Sequence, residues 1–124
     1  MGLFDTLLGN ASEVSADELQ TELAPVLGTS ERVIAAYKLF RDSIIFTTGR
    51  LMLIDKQGLT GRKVHYHSVP YKAITQFTVE TAGHFDTDSE LKIWVSGQDK
   101  PIEVELSKNA AEGVQKTLST QLFG

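Results

Sequence analysis

Cysteine is absent from this chain. Without thiols there are no disulfides and no thiolate metal sites, which fits a reducing compartment. Long apolar runs are absent as well. None approaches the roughly 20 residues needed to cross a bilayer. The opening MGLFDTLLGN lacks the basic n-region and the long apolar h-region of a secretion signal, so a cytoplasmic location is expected. Positive charge is scarce: 12 Lys and Arg stand against 16 Asp and Glu, a net charge of -4. General nucleic-acid binding needs a basic face to replace phosphate counterions, so it is not expected here. Repeats, linkers and low-complexity tracts are also missing.

What is present fits one domain. The 124 residues are enough to bury roughly two thirds of the unfolded chain's surface in one core. Leu3, Phe4, Leu7 and Leu8 can line one side of a helical turn or two, ended by Gly9. Ser15 to Glu18 (SADE) has the form of a capping box. Leu19, Leu23 and Leu27 follow at helical spacing, and Pro25 and Gly28 close the segment. Residues 1–28 are therefore read as an N-terminal helical extension and 29–124 as the main domain.

After Gly28 the period changes. RVIAAYKLF is followed by a turn at Arg41-Asp42. SIIFT and RLMLID are joined by Thr48-Gly49, read as a hairpin. KVHYHSV, ITQFTVET, LKIWVS and IEVEL complete seven short strands. In the last two, Leu91, Ile93 and Val95 alternate with Lys92, Trp94 and Ser96, and Ile102, Val104 and Leu106 alternate with Glu103 and Glu105. Asn109 to Glu112 (NAAE) resembles a second capping box, and Ala111, Val114, Leu118 and Leu122 mark one stripe of a final helix. The order predicts a mainly β (α+β) fold: a seven-stranded antiparallel barrel or bent sandwich, capped by the C-terminal helix.

The stretches DKQGLTGRK, SVPYKAI and VETAG, within Glu31 to Gly97, together resemble the bacterial pleckstrin-homology-like domain family, formerly a family of unknown function. That resemblance implies a PH-like seven-stranded fold, homo-oligomers that are often rings, and no known catalysis. A pentamer is the first expectation. Eukaryotic PH domains read phosphoinositides with a long first hairpin loop carrying spaced basic residues. Here Lys38 and Arg41 lie on a tight turn followed at once by Asp42, so no specific phosphoinositide binding is expected.

The chemistry candidates are few. In DKQGLTGRK, Gly58 and Gly61 can leave backbone N–H groups open to an anion, with Lys56, Arg62 and Lys63 adding charge. The spacing is not that of a Walker loop, and the segment leads into a strand. It is read as a hairpin loop with weak anion affinity. His65 and His67 share one face of a strand. A third metal ligand could come only from His84 or Asp86, which nothing in the sequence places nearby, so no metal site is assigned. Asp86 to Leu91 (DTDSEL) has Leu where a calcium loop needs Gly and is read as an acidic turn. MGLFDT fits a myristoylation pattern but is read as an apolar N-terminal turn that packs on the protein. Ser68 and the adjacent His67 point to opposite faces. Glu80 and Glu90 can meet across a hairpin. No catalytic residue and no cofactor is assigned.

Trp94 turns outward with Lys92. It either lies under a terminal helix or, with Lys92, anchors an unknown protein partner. The large apolar residues on both faces of SIIF and LMLI ask for a second cover: the N-terminal helix, a neighbouring subunit, or both. The reading is a non-enzymatic binding and assembly module acting as a homo-oligomer. The alternative is a peripheral membrane adaptor using the N-terminal apolar segment and the basic loop.

Overall fold

The computed structural model describes residues 13–39, 42–57, 62–81, 83 and 88–124, with the backbone alone at 13 and 14. The apolar turns at Leu3 to Leu8, the myristoylation pattern, Arg41, Gly58, Gly61, His84 and Asp86 lie outside the described residues. The chain divides into two compact units, Met1–Ser68 and Val69–Gly124.

The first unit is built on a five-stranded antiparallel sheet in the order β1-β2-β3-β4-β5. Its strands are β1 (Glu13–Val14), β2 (Val33–Lys38), β3 (Asp42–Thr47), β4 (Arg50–Gln57) and β5 (Lys63–Pro70), whose last two residues enter the second unit. Strand β1 pairs with β2 through Glu13 and Tyr37. Two residues are too few to show a period, so this strand has no signature in the sequence. Strands β2 and β3 close tightly, with Leu39 N–H donating to the Asp42 carbonyl at 2.7 Å. The first hairpin is thus as short as the sequence suggested.

Helix α1 (Ala16–Glu22) starts where the capping box predicts, with Ser15 Oγ accepting from Glu18 N–H. It stops at Glu22, earlier than the apolar stripe suggests. Pro25 has no N–H and cannot continue a helix. Single turns carry the stripe onward, since Leu27 N–H still donates to the Leu23 carbonyl at 3.0 Å. Leu19, Leu23 and Leu27 therefore stay on one side and pack on Ala36, Ile45, Met52, Ile54 and Val64 of the sheet. Residues Ile44, Phe46 and Leu51, on the opposite face, are fully buried too. Both faces of the SIIF and LMLI strands are thus buried, and this chain's own α1 segment covers one of them.

The second unit is a three-stranded antiparallel sheet, β6 (Ile74–Glu80), β7 (Asp88–Val95) and β8 (Ile102–Ser107), with β7 in the middle. A single 3-10 turn, Tyr71–Ala73, precedes it. The predicted alternation holds at the strand centres, where Leu91, Ile93, Val104 and Leu106 are buried and Glu90, Glu103 and Glu105 exposed, while Val95 and Ile102 are only half-buried. Helix α2 (Lys108–Phe123) packs on this sheet through Ala110, Ala111, Val114 and Leu118. Its cap is not Asn109. Ser107, the last residue of β8, accepts from Ala110 N–H at 3.2 Å and opens the helix two residues sooner. A hydroxyl at the strand end satisfies an orphan donor at once, which leaves Asn109 exposed within the first turn.

Candidate functional surfaces

The β6-β7-β8 sheet places Lys92 and Trp94 on its outward face, one pleat apart. Lys92 lies opposite Thr78 on β6 and Glu103 on β8. Its ammonium sits 3.4 Å from Glu90 and 3.7 Å from Glu103. Both contacts are solvent-exposed, so each contributes little to stability. Trp94 is half-buried and lies opposite Gln76, and its carbonyl accepts from Thr75 Oγ1. One row away, Glu80, Glu90 and Glu105 stand directly opposite one another across the three strands. The approach of Glu80 to Glu90 that the sequence allowed does occur. All three residues are exposed.

The basic loop is only partly described. Lys56, Arg62 and Lys63 are exposed at its two ends. His65 and His67 stand on the same face of β5 with ring centroids 6.2 Å apart. Residues 65–68 are all exposed, and β5 forms the edge of its sheet.

The most tightly built polar cluster has no local sequence signal. Glu31 and Arg50 form an ion pair, Arg50 Nε donating to Glu31 Oε2 at 2.8 Å and a terminal nitrogen donating to Oε1 at 2.9 Å. Arg50 also donates to the Val26 carbonyl and to Ser68 Oγ. Glu31 accepts in addition from Gly28 N–H and from the buried Thr47 hydroxyl. Gln20 ties the helix to the same place, donating to the Glu31 carbonyl and accepting from Val33 N–H. The hydrogen bonds from Arg50 come first in holding the Glu31 carboxyl down from 4.5 to about 2. A shallow open depression runs over Ser30, Glu31, Thr48, Gly49 and Arg50. Four of the five guanidinium N–H groups are already engaged within the protein, so this arginine is a clamp and not an anion receptor.

Phe77 and Phe123 were also missed. Their rings stack at 6.1 Å, and Phe123 is 76% exposed at the end of α2. A single aromatic at a chain end carries no periodic signal. No helix among the described residues is long and apolar enough to cross a membrane.

Residues 2–122 match the family model described as Bacterial PH domain. A pleckstrin homology domain from Shewanella amazonensis SB2B is 54% identical, with a TM-score of 0.84 and 98% of each chain covered. A DUF1696 family protein with a pleckstrin-homology domain from Shewanella loihica PV-4 is 55% identical, with a TM-score of 0.81, covering 90% of this chain and 97% of that one. The uncharacterized protein YjqA of Bacillus subtilis is 58% identical over 101 residues, 82% of this chain and 81% of its own length. A match over almost the whole length, with two solved structures of the same architecture at more than half identity, places the chain in the bacterial PH domain family.

Proposed function

We propose that this protein is a non-enzymatic binding and assembly module that works in the cytoplasm as a closed ring of identical subunits. The observation that supports this most directly is the edge of the five-stranded sheet. Strand β5 is eight residues long and lies outermost, with His65, Tyr66, His67 and Ser68 exposed. An outermost strand offers a row of N–H and C=O groups to an incoming strand. The opposite edge is different: among the described residues it is the two-residue strand β1, paired with β2 at Tyr37 and Ala36. A contact between two unlike edges is heterologous, and repeated by rotation it closes into a ring. Since α1 already covers one sheet face, the assembly rests on edges and not on an uncovered face. A stable interface of this kind should exceed about 1,000 Å² in total. Five subunits remain the first expectation, on the family resemblance. The outward face carrying Lys92 and Trp94 is left for a partner protein.

Light scattering during size exclusion tests the reading. A fixed mass of several 13.6 kDa subunits, independent of loading concentration, is expected. A monodisperse monomer at every concentration overturns it. Co-sedimentation with anionic liposomes without assembly would favour the peripheral membrane adaptor instead.

A further inference from the structure

Two imidazoles stand side by side on strand β5. His65 and His67 have centroids 6.2 Å apart and ring planes at 75°. Both residues are exposed, and among the described residues no side chain hydrogen-bonds either ring.

The spacing can be tested against metal chemistry. A metal–nitrogen bond of ~2.05 Å added to the ring's own radius puts an ion ~3.2 Å from an imidazole centroid, so two rings can share an ion at centroid separations up to ~6.4 Å. The observed separation lies inside that limit. Neighbouring ligand positions around a tetrahedral or square ion want the centroids at about 5 Å. Solvent-exposed histidine rings close the remaining distance by rotating about their side-chain bonds, with no movement of the strand.

We infer that His65 and His67 form a two-imidazole chelate for a borderline divalent cation, with Cu²⁺ held most tightly and Ni²⁺ and Zn²⁺ less so. Imidazole suits these ions, and the order follows the general rise in affinity to copper. The sequence alone offered no third ligand and so no reason to assign a metal. Two imidazoles are enough for a bidentate chelate, so the proposal needs no third protein ligand. Among the described residues no group of three or more His, Asp or Glu is gathered, so the proposed chelate takes two protein ligands, with solvent completing the coordination. That makes the site open and exchangeable, unlike a closed structural zinc site with four protein ligands. Lys63 shares the strand face two residues earlier and is exposed. Its charge lowers the affinity, and its long flexible stem lets it swing away. Both ligands come from one chain, and strand pairing at the β5 edge would engage backbone groups while the imidazoles stand on the sheet face.

Isothermal titration of the full chain with CuCl2, NiCl2 and ZnCl2 tests the inference, with electron paramagnetic resonance of the copper form to count nitrogen ligands. One ion per chain, copper tightest, and two coordinated nitrogens are expected. His65→Gln or His67→Gln should each weaken copper binding at least about tenfold, and the double variant should remove it. These are exposed positions, so the variants should keep wild-type melting curves. If wild type binds none of the three ions at submillimolar concentration, or the double variant binds copper as wild type does, the inference is wrong.

Discussion

Replacing Glu31 with glutamine should destabilise the protein at neutral pH and progressively less in acid. The side chain is 12% exposed and that of Arg50 26%. In the native state the carboxyl lies at about 2, against 4.5 ordinarily. A native value below the unfolded one means the stabilisation is complete above about pH 5 and is lost as pH falls toward 2. At 1.36 kcal/mol per decade of acidity the full effect is at most about 3.4 kcal/mol at pH 7, and by the same linkage about 2 kcal/mol at pH 3.5. Solvent around Arg50 screens the pair, so about 1–2 kcal/mol at pH 7 is the realistic expectation. The Glu31→Gln side chain would keep the shape and an acceptor for Gly28 N–H but leave the guanidinium without its counter-charge. Urea unfolding of wild type and variant, followed by Trp94 fluorescence, should be run at pH 7 and pH 3.5. Groups common to both proteins cancel in the difference. If the gap between them is the same at both pH values, the charge on Glu31 is not its source. A variant as stable as wild type at pH 7 would remove the clamp from the account altogether.

Leu23→Ala should cost about 2–4 kcal/mol in thermal or urea unfolding, because Leu23 is 6% exposed and is the most deeply set contact of the α1 segment on the sheet. An unchanged midpoint would mean the helix is not held by that packing. Gly97→Ala should cost about 1 kcal/mol, because φ is +84° in the turn closed by Gln98 N–H on the Val95 carbonyl. A Cβ there meets no atom within 4 Å, so a loss far above that would point to something other than backbone strain. Removing residues 1–28 should leave a folded β domain that binds a hydrophobic dye and precipitates more readily, since it uncovers Ala36, Ile45, Met52 and Ile54. Complete loss of cooperative unfolding would show that the α1 segment belongs to the core and is not an extension.

The strands could be read in the sequence because each carries its own alternation. Leu91 and Ile93 against Glu90 and Lys92, and Val104 and Leu106 against Glu103 and Glu105, state which face is buried without reference to any other strand. Local hydrogen-bond chemistry was legible to the same degree. Ser15 caps α1 as its motif suggests, because the partner is three residues away. At α2 the same logic named Asn109 although Ser107 stood two residues earlier. Where β8 ends decides between them, and strand ends are set by the partner strand, here by Ser107 lying opposite Asp88.

Glu31 and Arg50 show why sites are less legible than folds. They are nineteen residues apart, and neither sits in a motif. They meet because β2, β3 and β4 run antiparallel in a register that sets Phe46 opposite Leu51, which brings the start of β4 beside the chain entering β2. The same folding places Thr47, Val26 and Ser68 within reach of the pair. The histidines lie at the other extreme. A period of two puts His65 and His67 on one face in any strand, and only the 6.2 Å between their rings decides that one ion could bridge them. The apolar stripe of Leu19, Leu23 and Leu27 falls between these cases. Its existence was plain, but what it covers was not, and that answer changes the argument about assembly. With the α1 segment seated on Ala36, Ile45 and Met52, a second subunit is no longer needed to hide that sheet face. The case for a ring then rests on backbone groups at the edge strand β5, which side-chain patterning does not report.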